Sequence, residues 1–370
     1  MRWPWVGLLL LGTLLTLACG SKKLIVGVVL PETGVDKGYG ASLKSGIRLA
    51  LDDAVAKQSP EGIEARYRDT LSHPEYAQKE TYELFKSGAL IVIGGATSAE
   101  AKFIIPEAEK AKGVIISPSA SEPGLAASSN LFFRVVPSDD VEGVVAADFL
   151  VNQRKARSIL VLYQDGVYAE GMLPVFTGEV TKLSAKVTDK LRIGPTDWDK
   201  PISEALAASK PDAVFICAFA EETLAALEVV HNAKYPGSVC ATSAMITGDV
   251  IRRAGAFAEG IFVPMVNLDL ESQQEPMKSF VKRYKAANKG NAPDLYAAYG
   301  YDAAIAALYA LQGPPPVNTT EILQHLMGLG DKQGVTGKLA FDSAGDILHR
   351  PRVHCIRSGK LEDCDPSPVS

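Results

Sequence analysis

The sequence has little with which to hold a metal or run a nucleophilic reaction. Its five cysteines and five histidines include no Cys-x-x-Cys and no His-x-x-x-His pair, and the histidines stand isolated at positions 73, 231, 325, 349 and 354. Protein zinc sites draw on closely spaced Cys or His pairs, so no metal is expected. There is no G-x-S-x-G elbow, no G-x-x-x-x-G-K-[ST] loop and no G-x-G-x-x-G after the first strand-like run. Those gaps remove the usual signs of a serine hydrolase, a P-loop nucleotidase and a dinucleotide-dependent oxidoreductase. The adjacent carboxylates Glu221-Glu222 and Asp139-Asp140 sit near helix starts, where negative charge favours the helix dipole. The chain therefore reads as a non-enzyme without a cofactor. Basic charge is also short: the formal net charge is −5, and no five Lys or Arg follow one another. Nucleic-acid binding calls for a basic face, so it is not expected either.

Long apolar runs are missing too, with one exception at the start. After Met1-Arg2, the stretch Val6–Leu17 is apolar apart from Gly and Thr. It is about a dozen residues long, whereas a helix crossing a hydrocarbon core of ~30 Å takes ~20. A basic start, a short apolar core and a small residue before the cut describe a secretory signal. Here the small residue is Ala18 and the next is Cys19, followed by the polar spacer Gly20-Ser21-Lys22-Lys23. Leu15-Thr16-Leu17-Ala18-Cys19 resembles the bacterial lipobox, with Thr16 where Leu is commonest. That resemblance implies lipidation of Cys19 and a domain tethered to a membrane surface, in the periplasm or on the outer face of the cell.

About 350 residues remain beyond Cys19, long for one core and suited to two lobes. Apolar runs of strand length alternate with stretches of helical spacing. Leu24–Leu30 is a continuous apolar run, as a strand buried on both faces should be. Gly40–Lys57 then carries Leu43, Ile47, Ala50, Leu51 and Ala54 on one helical face. The rhythm continues through strand-like Leu90–Ile93, Val114–Ile116, Ser158–Tyr163 and Ala213–Cys217, with helices between, and the chain from Gly337 onward reads as β-rich. Such βα alternation predicts an α/β fold of parallel sheets with helices on both faces. An exported chain can keep disulfides. Cys355 and Cys364 flank the turn signal Ser358-Gly359-Lys360, which admits a hairpin-closing bridge. Cys217 and Cys240 lie in separate strand-like runs, either paired across neighbouring strands or free and buried.

Ligands of such folds sit beyond the carboxyl ends of the strands. Two of those loops are small and hydroxyl-rich: Gly94-Gly95-Ala96-Thr97-Ser98 and Ser117-Pro118-Ser119-Ala120-Ser121. Serine hydroxyls with the N–H groups of a helix N-terminus can hold an anion without any basic residue. Read separately, Ser98 is also a candidate helix cap and Ser121 a turn former.

An ordered set of segments resembles the type I periplasmic binding proteins of the leucine/isoleucine/valine kind. The set comprises Val28–Gly34 with Tyr39-Gly40, the two hydroxyl-rich loops, and Phe132-Phe133-Arg134-Val135 with Pro137-Ser138-Asp139 and Gly143. It continues with Ala298-Tyr299-Gly300-Tyr301-Asp302-Ala303, and ends at Gly334-Val335-Thr336-Gly337 with Phe341-Asp342 and Gly345. The resemblance spans about residues 24 to 357. It implies two doubly wound parallel-sheet lobes joined by a three-crossing hinge, with residues 24–138 and 265–337 in one lobe and 139–264 and 338–365 in the other. It implies a monomer that closes on a small solute and delivers it to an ABC permease in the inner membrane. A ligand-sensing module signalling to a membrane partner is the alternative within the same fold. Carried over by motif, Ser98, Ala120 and Ser121 hold the ligand's carboxylate, Ser119 is a further ligand-binding candidate on the same loop, and Tyr168 reaches in from the second lobe. The family's ammonium-binding tyrosine and glutamate fall on Phe219 and Ala244. Glu32, Glu221 or Glu222 are the candidates to replace them; without one, the pocket favours a carboxylate lacking an ammonium, with Phe219 as an apolar wall.

Overall fold

The computed structural model describes residues 23–56, 62–194, 198–247, 250–313 and 317–364. The signal segment and Cys19 lie outside these residues. The chain opens with β1 (Leu24–Leu30), α1 (Lys37–Ala56), β2 (Ile63–Asp69), α2 (Pro74–Lys86), β3 (Ala89–Gly94), α3 (Ser98–Ala111), β4 (Val114–Ser117) and β5 (Phe132–Arg134). The strands form one parallel sheet in the order β2-β1-β3-β4-β5. The continuous apolar runs lie inside it: residues 25–30 of β1 and all of β4 are buried. The direction of winding reverses between β1 and β3, which is where an open α/β sheet leaves a crevice.

The second sheet repeats the plan. Its elements are α4 (Asp139–Asp148), β6 (Ser158–Gln164), α5 (Val167–Lys182), β7 (Lys186–Ile193), α6 (Asp199–Ser209), β8 (Ala213–Cys217), α7 (Ala220–Asn232), β9 (Ser238–Ala241), α8 (Val250–Ala254) and β10 (Phe262–Met265). Strands β7-β6-β8-β9-β10 run parallel, with the same reversal between β6 and β8. Helix α4 ends at Asp148 and runs into a wider π-helical turn, Phe149–Gln153. The chain then returns to the first lobe as α9 (Met277–Ala287), α10 (Leu295–Ala310) and α11 (Thr319–Met327). It closes in the second sheet with β11 (Arg352–Arg357) and β12 (Lys360–Asp363), both antiparallel to their neighbours. The two lobes are thus joined by three crossings: after β5, after β10 and before β11.

Helix α10 is apolar around most of its circumference because it is enclosed; all but three of its sixteen residues are buried. It crosses α1 at close range through two glycines. A Cβ on Gly46 would stand 1.8 Å from the Ala297 carbonyl oxygen, and one on Gly300 would stand 2.2 Å from that of Leu43. Asp294 caps α10 by accepting the Ala297 N–H at 2.8 Å.

The third crossing is pinned to the first lobe. Asp302 of α10 accepts the N–H groups of Val335 and Thr336, both at 2.8 Å, and the Thr336 hydroxyl at 2.6 Å. Further on, Arg134 of β5 pairs with Asp346, its N–H donates to the Gly345 carbonyl at 3.0 Å, and Phe341 packs edge-on against Phe133. The stretch 341–346, assigned by sequence to the second lobe, therefore touches the edge strand of the first. The β-rich reading from Gly337 onward narrows to isolated bridges before β11 and the final hairpin. Cys355 and Cys364 form the bridge that closes it. Cys217 and Cys240 lie on adjacent strands yet remain free and buried, because the register sets Cys240 against Phe215 rather than Cys217.

Candidate functional site

The carboxyl ends of both sheets face one another, and a narrow cavity of about 10 Å³ lies between them, closed down to roughly the room of one water. Each wall is built from the residues that follow the central strands of its sheet.

On the first lobe, the loop after β3 turns into α3. Thr97 is the cap, accepting the Glu100 N–H at 3.2 Å, so Ser98 is freed from that duty and lines the cavity as the first helical residue. Ser98 Oγ accepts the N–H of Glu122 at 3.1 Å, which fastens the two hydroxyl-rich loops together. Its hydroxyl proton finds no acceptor among the described residues and can serve a ligand. Glu100 supports this turn from below. It is buried, and accepts the Thr70 hydroxyl at 2.6 Å and the Ala96 N–H at 3.1 Å. Burial pushes its carboxyl up to about 7, against the pull of those bonds.

The second loop is held by Ser117, a residue that sequence reasoning placed in the loop without giving it a role. Ser117 Oγ donates to the Gly95 carbonyl at 2.9 Å and accepts the N–H groups of Ala120 at 2.9 Å and Ser119 at 3.3 Å. Ser119 Oγ donates to the Ala96 carbonyl at 2.7 Å. The loop is thereby fixed before any ligand arrives, with Ser119 and Ser121 on the cavity wall. Ala120 is not part of that wall. It is fully buried, its N–H is spent on Ser117, and its carbonyl accepts from Arg134 at 3.2 Å.

Aromatic rings supply the rest. Tyr39 of α1 and Tyr296 of α10 meet with ring centroids 4.3 Å apart on the first lobe. Tyr168 of α5 and Phe219, which precedes α7, stack at 5.4 Å on the second. The Phe219 backbone is held by Gln164, whose side-chain oxygen accepts its N–H at 3.0 Å. Tyr39 also approaches Phe219 at 6.0 Å, so the two pairs close the cavity across the lobes. Ala96, Thr97, Val136, Ser243 and Ala244 complete the lining. A direct bond spans the interface: the Tyr296 hydroxyl donates to the Ser243 carbonyl at 3.1 Å. Ser243 is in turn fixed by buried Glu142, which accepts its N–H and its hydroxyl, both at 2.7 Å. Burial raises the Glu142 carboxyl to about 7 although both bonds oppose the shift.

The carboxylates proposed from sequence as ammonium partners are not at this cavity. Glu32 pairs with Lys44 of α1. Glu221 is exposed and forms a bidentate pair with Arg253 at 2.5 and 2.6 Å. Glu222 is half-buried and does not line the cavity. Position in the chain brought these side chains near the strand ends, but each faces away toward its own partner or toward solvent. Sequence reasoning missed Tyr39 and Tyr296 as wall residues, although it had singled out Tyr39-Gly40 as part of a motif. Among the described residues no cluster of His, Cys, Asp and Glu could hold a metal ion.

Two sheets with their switch points opposed, and a closed cavity between them, fit the model of the periplasmic binding proteins, which matches residues 23–364. The chain belongs to the periplasmic binding protein family. Among curated relatives of this binding protein, an amino acid binding protein of Pseudomonas aeruginosa is 22% identical over 333 residues, covering 88% of this chain and 87% of its own. A branched-chain amino acid transporter substrate binding protein of Streptococcus pneumoniae, solved with isoleucine, superposes with a TM-score of 0.84. It is 23% identical and covers 93% of this chain and 99% of its own. An ABC transporter solute binding protein of R. palustris, solved with benzoate, gives 0.83 at 20% identity, covering 93% and 96%. At such identities the structural likeness speaks for the fold of this binding protein, while the cavity itself must speak for its ligand.

Proposed function

We propose that this binding protein captures a small carboxylic acid outside the cytoplasm and presents it to an ABC importer. The observation that carries this reading is the pair of interlocked serine loops at the end of β3 and β4, set against an aromatic wall on the facing lobe. Ser98 and Ser121, with the N-terminal turn of α3, form the carboxylate-holding half. Hydrogen bonds to an ionised acceptor are the stronger class, and the loops need no reorganisation to make them. Tyr39, Tyr168, Phe219 and Tyr296 form the apolar half and exclude water when the lobes close. The relatives named above bind amino acids in two cases and benzoate in the third, and the carboxylate is what isoleucine and benzoate share. The N-terminal segment supports an exported chain anchored through a lipidated Cys19.

The mature domain should gain thermal stability with its solute, since a ligand that binds only the native state stabilises by RT ln(1 + [L]/Kd). A thermal-shift panel of aliphatic, aromatic and amino acids tests this directly. Absence of any shift across the panel would remove the reading.

A further inference from the structure

The amino ends of the second sheet form the pole of that lobe opposite the cleft, and this pole is basic. The turns that lead into its parallel strands lie there. So does the β11–β12 hairpin, whose Ser358 N–H donates to Glu259 just ahead of β10. In strand order the row is Lys360 at β12, Lys234 ahead of β9, Lys210 ahead of β8, Lys155 ahead of β6 and Lys186 at β7. All of these lysines are exposed, and none has an ion-pair partner among the described residues. Seven strands at ~4.8 Å spacing make the row about 30 Å long. Arg154 and Arg157 flank Lys155 and add to its charge. The acids of this end are engaged. Asp212 accepts the N–H groups of Arg157 and Ser158 at 2.8 and 2.9 Å, Glu179 pairs with Lys182, and Glu362 pairs with Arg357. The formal net charge of −5 thus conceals a local face of the opposite sign.

Three of these lysines stand where the backbone favours another residue. Lys155, Lys210 and Lys234 follow the last turns of their helices in the left-handed conformation, with φ of 60°, 40° and 52°. A side chain is strained there, and glycine is the usual choice. A cation is favoured beside a helix C-terminus, but a lysine inside the last turn would meet that preference without the strain. Lys112 and Lys289 of the first lobe share the conformation singly; the second lobe sets three along one edge.

We propose that this pole rests on anionic lipid headgroups. The inference builds on the extracytoplasmic, lipid-anchored reading given under the proposed function. The rings at this end are occupied: Arg154 lies over Phe262, and the Tyr235 hydroxyl donates to the Pro211 carbonyl at 2.8 Å. They are not free to stack on bases, as single-stranded nucleic acid requires, so a charged plane fits the row better. The tether supplies a second argument. Five Cα–Cα steps join Cys19 to Leu24, at most about 18 Å, and Leu24 opens β1 at the amino end of the first sheet. The carboxyl ends of the sheets meet at the cleft, so the tethered pole and the basic pole are opposite ends of the molecule. Lipid at one end and charge at the other lay the protein lengthwise on the membrane, with both lobes within reach of a membrane partner. A lipid chain with a polybasic patch is a known pairing of two attachment signals. Each lysine near an anionic surface strengthens attachment about fivefold. Salt screens that attraction, so the pole orients the protein and the lipid anchors it.

The test uses the mature chain carrying Cys19→Ser, so that lipidation plays no part, and vesicles of phosphatidylcholine with and without phosphatidylglycerol. At low salt the protein should sediment with the anionic vesicles and not with the neutral ones, and added salt should release it. The triple variant Lys155→Gln, Lys210→Gln, Lys234→Gln should lower that partition about 10- to 100-fold, with the thermal transition and solute affinity kept. A matched triple on α9 of the first lobe, Lys278→Gln, Lys282→Gln, Lys285→Gln, removes the same charge and should leave the partition nearly unchanged. Equal loss in both triples would mean that overall charge acts and not the pole, and overturns the proposal. So would equal binding to neutral vesicles. A pole triple that loses binding to polyphosphate but none to vesicles would give the pole to an anionic polymer, which overturns lipid as its partner. Solute binding is read separately in every variant, so failure of the carboxylate-binding function shows as lost solute affinity and not as a changed partition.

Discussion

The hydroxyl of Tyr296 donates to the backbone carbonyl of Ser243 at 3.1 Å, and the bond runs from α10 of one lobe to the loop after β9 of the other. It links the two halves of the cleft in the closed form and is broken whenever they part. Ser243 does not yield easily, since Glu142 grips both its N–H and its hydroxyl. A neutral hydrogen bond contributes about 0.5–1.5 kcal/mol net. Tyr296→Phe keeps the ring packed on Tyr39 and removes only the bond. Solute affinity should fall roughly 2- to 10-fold, and small-angle scattering should show a more open average form without ligand. Unchanged affinity and shape would mean that the bond plays no part in closure.

Ser98 and Ser121 should matter more than this latch, because their hydroxyls meet a charge. Each lost bond to a carboxylate costs about 1.5–3 kcal/mol, or roughly 10- to 100-fold in Kd. Ser98→Ala also frees the Glu122 N–H that ties the loops together, so its effect should exceed that of Ser121→Ala. Titration calorimetry on both single variants and the double checks the order. Full affinity in the double variant would place the carboxylate elsewhere.

Buried carboxyls give stability a pH dependence of definite sign. The Glu142 carboxyl rises from its ordinary 4.5 to about 7 on folding, and Glu100 does the same, in both cases through burial. The folded chain therefore holds these protons more tightly than the unfolded chain. Their contribution to stability is complete below about pH 4.5 and disappears as pH rises toward about 7. The urea midpoint of the ligand-free domain should accordingly be lower at about pH 8 than at about pH 5. Glu142→Gln can still accept the Ser243 N–H through its amide oxygen and should flatten part of the decline. A midpoint that rises over this interval would show that other groups dominate.

The fold was legible because its buried strands are written as uninterrupted apolar runs and its helices as periodic ones. Leu24–Leu30 and Ala213–Cys217 fall at the residues that the pattern predicted. The serine loops were legible for a local reason: they directly follow strands whose ends must form the crevice. What the sequence hid depends on packing over distance. Tyr296 reaches the cavity only because Gly46 and Gly300 let α10 lie close against α1. Asp139 looked like a favourable charge at a helix start, and nothing local reveals that its carboxylate is enclosed. Glu221 misled for the converse reason, since its partner Arg253 stands 32 residues away in sequence.

Cys19 lies outside the described residues, and its role is a matter for the cell. Two acyl chains anchor stably where one is marginal. Cys19→Ser should move the full-length protein from the membrane fraction to the soluble extracytoplasmic fraction, with solute binding preserved. A variant that still sediments with membranes removes the lipid anchor from the proposal.

The remaining cysteines divide sharply by environment. Cys355 and Cys364 are joined across the final hairpin, with nine residues of sequence separation. A loop of that size is worth about 2–3 kcal/mol by chain entropy, and the hairpin extends the second sheet beyond β10. Replacing both with Ala should lower the thermal midpoint by a few degrees without altering solute affinity, since neither lines the cleft. Cys217 and Cys240 are free, fully buried, and raised far above the ordinary thiol range by burial. A thiol reagent should therefore find no reactive group in the folded domain from Lys23 onward, and two after denaturation without reductant. Four reactive thiols on denaturation would mean that the hairpin bridge does not form, and none would mean that Cys217 and Cys240 pair despite their register.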